Sequence, residues 1–197
     1  MIKSFFKFLK KTLIVLFVLG LIIYGFKVEL YQNTVKYKAM YQYEFEEIQR
    51  LVFPILNNKE KDTVTDIFKA YLEDKNNFNY TPVLLHNDLS NDHIIIDNQT
   101  DTLVGIIDFG DMDIGDPDYD LMYLTDDYGS SFLDNFLNYY PHSDVDRLKN
   151  KIKFFQFAHL LQDIVSAIDD NKPKAIKDSY RSVQNWLNTE GYLFDNQ

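Results

Sequence analysis

Short apolar runs separated by polar loops mark the middle of the chain, where each run has three or four residues. They cover residues 83–85, 94–96 and 104–107. Runs of this length that are bounded by turn-forming residues are typical of buried strands. The polar, turn-forming stretch between the second and third runs predicts a tight connection. We therefore expect residues 94–97 and 103–107 to form a β-hairpin.

Outside this region the apolar residues recur at intervals of three and four, which predicts amphipathic helices. The predicted helices cover residues 41–55, 62–72, 132–140, 143–168 and 176–187, and a further helix begins near residue 121. Asp62 or Thr63 is expected to cap the second helix, and Ser143 the long helix. Gly191 is expected to stop the last one. The apolar faces of these helices predict a helical core around the hairpin.

The N-terminal region has a different composition. Residues 13–26 carry no charge and follow a segment with four lysines, at positions 3, 7, 10 and 11. This pattern predicts a membrane anchor, and the alternative is a buried or interfacial helix. We expect two regions: a hydrophobic segment over residues 1–30 and a folded lobe over residues 31–197.

Composition narrows the classes of partner. The 197 residues suit one domain with an ordinary core, and the absence of cysteine excludes a disulfide framework and a thiolate metal site. A formal net charge of −10 argues against a nucleic-acid partner, because phosphate-tracking surfaces need clustered lysine and arginine. It suits a small cationic substrate.

Three polar motifs follow the apolar runs in order. They read His-Asn-Asp-Leu-Ser-Asn-Asp-His at 86–93, Gly-Ile-Ile-Asp-Phe-Gly-Asp at 105–111 and Gly-Asp-Pro-Asp-Tyr-Asp-Leu at 115–121. The first two resemble the His-x-Asp loop and Asp-x-Gly motif of protein-kinase-like phosphotransferases. The set most closely resembles the aminoglycoside phosphotransferase family, in the branch that phosphorylates a 2''-hydroxyl. The resemblance extends over about residues 40–140.

The resemblance implies a kinase-type reaction that moves the γ-phosphoryl group of ATP or GTP to a hydroxyl of a small, aminoglycoside-like substrate. It implies that residues 31–197 form the catalytic lobe. This lobe is expected on the cytoplasmic side of the membrane, where nucleoside triphosphates are found, and the alternative is a cytoplasmic protein. It implies that Asp88 accepts the hydroxyl proton and that Asp108 supplies an oxygen ligand to Mg²⁺. His93 is implied as the second metal contact. Supporting positions in and around the loop are His86, Asn91, Asp92 and Asp120. Of these, Asp120 is expected to accept hydrogen bonds from backbone N–H groups of the loop.

In the same family, the helices of the C-terminal lobe frame the cleft for the sugar substrate. Acidic side chains on these helices are candidates for contacts with ammonium groups, and a solvated helix face is the alternative explanation for each. They are Asp126, Asp127, Asp163, Asp169 and Asp170.

The family's nucleotide-binding features are missing from the early part of this sequence. Gly20 and Gly25 lie inside the apolar run, the next glycine is Gly105, and no strand-borne lysine of the Val-Ala-Ile-Lys type precedes the motifs. The sequence therefore predicts an α+β fold: the mostly helical C-terminal lobe of a protein-kinase-like fold with a small catalytic β-hairpin, and no N-terminal nucleotide lobe. An active phosphotransferase and a truncated, non-catalytic remnant or membrane-tethered pseudo-enzyme both remain possible functions.

Overall fold

The computed structural model describes residues 35–190, which form six α-helices and four short β-strands. The helices are α1 (residues 35–51), α2 (Asn58–Glu73), α3 (Asp120–Tyr128), α4 (Ser130–Phe136), α5 (Val145–Asp169) and α6 (Pro173–Thr189). The strands are β1 (Val83–Leu85), β2 (Ile94–Asp97), β3 (Thr102–Ile106) and β4 (Asp113–Gly115). This confirms the predicted α+β fold, mostly helical with a small hairpin.

The strands form two antiparallel ribbons. Strands β2 and β3 pair as the predicted hairpin, with Ile94 opposite Ile106 and Ile96 opposite Leu103. The register shifts between Ile95 and Ile96, so β3 carries a bulge. Strand β1 pairs with β4, a partner that the sequence analysis did not predict. Together the ribbons place residues 86–93 and Asp108 at neighbouring ends of strands.

Helix α2 begins earlier than the sequence analysis predicted, and its cap is neither Asp62 nor Thr63. The side chain of Asn57 accepts a hydrogen bond from the Glu60 backbone N–H, and the Glu60 carboxylate accepts one from the Asn57 N–H. This reciprocal capping box satisfies two N–H groups that a helix start leaves without partners, so the helix begins at Asn58.

Three other helix ends also differ from prediction. Helix α1 ends at residue 51 and continues into a 3₁₀ turn that contains Pro54. Helix α4 closes at Phe136, whose carbonyl accepts the N–H groups of Tyr139 and Tyr140. Helix α5 is capped by Asp144, not Ser143. The Asp144 carboxylate accepts the Arg147 backbone N–H at 3.1 Å and also pairs with the Arg147 side chain.

The core is built around α5, which packs against α2, α3 and α6. Its fully buried aromatic side chains are Phe154, Phe155 and Phe157. The ring of Phe154 stacks on Tyr71 of α2, with 3.5 Å between ring centroids. At the edge of the core, a Cβ on Gly115 would lie 2.6 Å from the Tyr37 hydroxyl oxygen, so glycine lets α1 approach β4 this closely.

The predicted N-terminal segment over residues 1–30 and its apolar stretch 13–26 lie outside the described residues, as does Gly191. Within residues 35–190, the structure contains no helix that is both long and apolar enough to cross a membrane.

Candidate active site

The loop that follows β1 carries the first polar motif. Asn87 adopts a left-handed backbone conformation (φ 68°), which asparagine tolerates better than most residues. This reverses the chain directly before Asp88. The loop then enters a 3₁₀ turn over Asn91–His93 and leads into β2. The loop is therefore short and sharply folded.

His93 lies between the two acidic residues of the motifs. Its Nδ1–H donates to the backbone carbonyl of Asp88 at 2.7 Å, and the Asp88 carboxylate oxygen lies 3.6 Å from the same nitrogen. On the other side of the ring, Nε2 lies 3.7 Å from a carboxylate oxygen of Asp108. In the neutral ring the Nε2 lone pair therefore faces Asp108.

This environment raises the pKa of His93 above its usual value. The largest cause is the hydrogen bond to the Asp88 carbonyl. Partial burial of the ring lowers the pKa, and the negative charges of Asp88, Asp108 and Asp92 raise it. A cation beside Asp108 would compete with the proton on Nε2.

Asp108 occupies the position directly after β3 in a strained geometry. It is a non-glycine residue with a left-handed backbone (φ 63°), and 68% of its side chain is exposed. Left-handed backbone at such a residue costs energy and is concentrated at functional sites. The carboxylate therefore faces solvent in a conformation that the surrounding fold maintains.

His86 connects the loop to the segment that carries Asp108. Its buried ring donates from Nε2 to the carbonyl oxygen of Ile107 at 2.8 Å. The ring also contacts Phe109, with 4.6 Å between centroids. A second link is the backbone hydrogen bond from Ile107 N–H to the His93 carbonyl. These bonds fix the separation of the two motifs.

Helix α3 secures the loop from the other side. The Asp120 carboxylate accepts the backbone N–H groups of His86 and Asn87 at 2.9 and 2.8 Å, which are the contacts expected of it. The Tyr123 hydroxyl donates to the Asn87 carbonyl at 2.7 Å, and Asp127 accepts the Asn91 N–H at 2.6 Å. Three side chains of one helix thus hold the loop at both ends.

The segment that leads into α3 is itself anchored in the core. Buried Lys151 of α5 donates to Asp116 at 2.7 Å and to Asp118 at 2.6 Å. His142 contacts Asp118 at 3.1 Å. Asp116 and Asp118 thus bind Lys151, and Asp120, two residues further on, reaches the loop.

A family comparison agrees with this geometry. The model of the phosphotransferase enzyme family matches residues 39–151, which is more than half of the chain. The chain belongs to this phosphotransferase family. The matched range contains β1 to β4, α3 and the three residues Asp88, His93 and Asp108.

Solved structures with the same fold include several aminoglycoside phosphotransferases. The GDP and kanamycin complex of APH(2")-IIia is 30% identical with a TM-score of 0.75, and the match covers 78% of this chain and 52% of that one. The gentamicin complex of APH(2")-IIa is 26% identical with a TM-score of 0.60, covering 82% and 53%. An ADP-bound APH(2'')-Ib is 26% identical with a TM-score of 0.61, covering 80% and 53%. The chain spans about half the length of these phosphotransferases.

Within this phosphotransferase lobe, the predicted site residues fall into two groups. Asp88, His93 and Asp108 lie together, while His86, Asn91 and Asp120 form the hydrogen bonds that position the loop. Asp92 is exposed and acts on His93 through its charge. The chemical roles assigned to all seven stay predictions.

Sequence analysis missed two groups of positioning residues. Tyr123 and Asp127 bind backbone groups of the loop, and the sequence analysis had considered Asp127 only as a candidate for substrate contact. The Lys151 cluster was not predicted either. The three acids of the 115–121 motif were the available signal, because an acid that becomes buried needs a cationic or N–H partner.

Proposed function

We propose that this chain is the catalytic lobe of a phosphotransferase that moves the γ-phosphoryl group of ATP or GTP to a hydroxyl of a small, aminoglycoside-like substrate. Membership of the phosphotransferase family supports the reaction class. The nucleotides and aminoglycosides bound in the similar structures support the donor and acceptor classes. Because ATP and GTP are cytoplasmic, we propose that this lobe works in the cytoplasm.

The observation that carries the proposal is the position of His93 between Asp88 and Asp108. The ring lies 3.6 Å from one carboxylate and 3.7 Å from the other. Phosphoryl transfer needs one carboxylate that orients the acceptor hydroxyl and a second that lies near the triphosphate. The two carboxylates must be close to each other, and each must have its own partner. The two carboxylates meet this requirement on opposite sides of one imidazole ring.

Asp88 is the group that we assign to the acceptor hydroxyl. Its side chain is 40% exposed, so a substrate hydroxyl can reach the carboxylate while the backbone of the same residue is held by His93. The carboxylate orients the hydroxyl for in-line attack and takes its proton as the new oxygen–phosphorus bond forms.

Asp108 and His93 are the groups that we assign to Mg²⁺. Within residues 35–190, no group of three or more histidine and acidic side chains has the geometry of a metal site. Two protein ligands fit Mg²⁺ chemistry, because this ion commonly takes one or two carboxylates and fills its shell with water and phosphate oxygens. Mg²⁺ bound here would neutralise charge on the triphosphate. The exposed Asp108 carboxylate suits the ion better than the His93 nitrogen does.

Acidic side chains of the helices supply the proposed recognition of cationic substrate. Asp126 of α3 is exposed and accepts a hydrogen bond from Gln156 at 2.6 Å. Asp126 directly precedes Asp127, which binds the loop at residues 86–93. An ammonium group at Asp126 would therefore lie next to the site. Asp163, Asp169 and Asp170 are exposed on α5 and the turn after it, without a comparable link to the loop.

The first test is calorimetric titration of the full chain with ATP and with GTP in the presence and absence of Mg²⁺. We expect saturable, Mg²⁺-dependent binding that Asp108→Ala abolishes. Asp111→Ala is the matched control, since Asp111 is an exposed acid three residues away in the same turn. Equal nucleotide binding by both variants would show that Asp108 is not a metal ligand.

The alternative function is a non-catalytic remnant. The observation that favours it is the match to only about half of each similar phosphotransferase. In this case the same titration detects no nucleotide binding up to millimolar concentration. Mg²⁺-dependent turnover of ATP or GTP by the purified chain would exclude the remnant.

A further inference from the structure

Two hydrogen bonds to a single carboxylate fix the start of the loop that carries Asp88. The Asp120 carboxylate accepts the backbone N–H groups of His86 and Asn87 at 2.9 and 2.8 Å. Because Asp120 is the first residue of α3, its position depends directly on the turn that precedes the helix. The position of Asp88 therefore depends on that turn as well.

The turn over residues 116–119 is closed by Asp116. The Asp116 carboxylate accepts the Asp118 N–H at 3.1 Å, and the Asp116 carbonyl accepts the Tyr119 N–H at 3.0 Å. Asp116 and Asp118 are only 4% and 5% exposed. Because water does not reach them, a group inside the core must balance their charge.

Lys151 is that group, and it binds both acids at once. Its Nζ donates to Asp116 at 2.7 Å and to Asp118 at 2.6 Å, and its side chain is 3% exposed. The ammonium group also lies 5.2 Å from the centroid of the Tyr80 ring. Among the lysine and arginine side chains of residues 35–190, Lys151 alone pairs with either acid. One buried cation thus anchors the whole turn in α5.

Stability alone does not account for a buried cation at this position. A buried ion pair is often no more stabilising than apolar side chains of similar volume, because both charges lose their hydration. The pair does select one geometry, since each charge has to keep its partner. Here the contacts run from Lys151 to the turn, and from the turn to Asp120. They end at the two N–H groups that precede Asp88.

We propose that Lys151 is a positioning residue for the site around Asp88. Its ammonium group holds the 116–119 turn in the place from which the Asp120 carboxylate reaches the loop. Lys151 itself acts only through these acids. The expected effect on phosphoryl transfer rests on the proposed function, whereas the effect on the loop is a property of the fold and is measured without substrate.

The test replaces the buried charges by neutral groups and measures the loop directly. The triple variant Lys151→Met, Asp116→Asn, Asp118→Asn leaves no unpaired charge in the core, so we expect it to fold even where Lys151→Met alone does not. Amide hydrogen exchange of the full chain is measured at the N–H groups of His86 and Asn87. The substituted residues are not their neighbours in sequence, so a faster rate reports opening of the Asp120 bonds.

The comparison is with a core amide of the same protein. In the triple variant, exchange at His86 and Asn87 should increase at least about tenfold more than exchange at Ile67, a fully buried residue of α2. Lys149→Met is the control, because Lys149 lies on the same helix as Lys151 and pairs with Asp134 at the surface. It should leave the exchange rates unchanged.

An increase at the loop no larger than that at Ile67 would overturn the proposal, because Lys151 would then contribute only to overall stability. Where the natural chain transfers phosphoryl groups, kcat of the triple variant should fall by at least about tenfold. Faster loop exchange with unchanged transfer would also overturn the proposal. Absence of transfer by the natural chain would contradict the proposed function, and the exchange rates would still decide the role of Lys151.

Discussion

Two acidic regions of this lobe contain the same kinds of side chain and differ in what partners them. In the core, Asp116 and Asp118 share the ammonium group of Lys151, whose side chain is 3% exposed. At the loop, Asp88 and Asp108 flank His93, and 68% of the Asp108 side chain is exposed. The first region is closed by protein groups, and the second leaves carboxylate oxygens open to solvent.

The difference shows how acidic residues divide between scaffold and chemistry. A buried carboxylate needs a full set of partners, because an unpaired charge in the core is very costly. A carboxylate that binds substrate or metal must keep free oxygens, so it stays exposed and gains its position from the backbone. Asp120 lies between the two cases, since it accepts two backbone N–H groups of the loop.

The sharpest test of the open region is Asp88→Asn, for which we expect the largest effect. The amide keeps the shape of the side chain and cannot accept the hydroxyl proton, so the phosphoryl transfer that we propose should fall about 10²- to 10⁴-fold. The free energy of unfolding should stay unchanged. Steady-state phosphoryl transfer and urea unfolding of the same preparation measure both, and unchanged transfer would refute the role of Asp88.

The closed region should respond in the opposite way to loss of its cation. Lys151→Met leaves two buried carboxylates without their partner, and we expect a loss of about 3 to 5 kcal/mol in the free energy of unfolding. Urea titration at pH 7 measures it. Lys149→Met is the control. Lys149 lies on the same helix as Lys151 and pairs with Asp134 of α4 at 2.6 Å, and the two side chains are 41% and 59% exposed. The expected loss is below about 1 kcal/mol. Similar losses in both variants would contradict the comparison.

The fold of the open region was predictable because its signals are local. Residues 94–106 form a hairpin from adjacent apolar runs and a turn, and the three motifs occur in order within forty residues. The β1–β4 ribbon was not predictable in the same way. Strand β4 has three residues, including an aspartate and a glycine, and its partner lies about thirty residues earlier. Such a strand has too few residues to show a period.

The closed region was hidden for a related reason. Lys151 lies within the apolar stripe of a long helix, and its acidic partners are 35 and 33 residues away in sequence. Sequence spacing within one element therefore gives no sign that this lysine is buried. The same limit applies to Tyr123 and Asp127, whose partners in the loop are each 36 residues away.

The pH dependence of stability sharpens the contrast, because burial raises the pKa of Asp116 to about 6. Asp118, which shares Lys151 with it, adds to the increase, and Lys151 opposes it. The folded state therefore binds a proton more tightly than the unfolded state, whose pKa is near 3.8. The contribution of Asp116 to the free energy of unfolding is therefore complete below pH 3.8 and is lost as pH rises through 6.

Asp116→Asn removes this titration and isolates its contribution. Relative to the variant, the natural chain should lose on the order of 1 to 3 kcal/mol of unfolding free energy between pH 4 and pH 7. Urea titrations of both proteins across this range give the difference directly. A constant difference between the two proteins would mean that Asp116 does not titrate in this window.

The smallest expected effect is that of removing one hydrogen bond between α3 and the loop. Tyr123→Phe removes the hydroxyl that donates to the Asn87 carbonyl at 2.7 Å, next to Asp88. A hydrogen bond of this kind contributes about 1 kcal/mol, so we expect a loss of that size in unfolding free energy. Tyr43→Phe, on an exposed side chain, should change it by less than about 0.5 kcal/mol. Because Asp120 still holds the adjacent N–H groups, phosphoryl transfer should fall far less than in Asp88→Asn. An equal fall would show that Tyr123, and not Asp120, sets the position of Asp88.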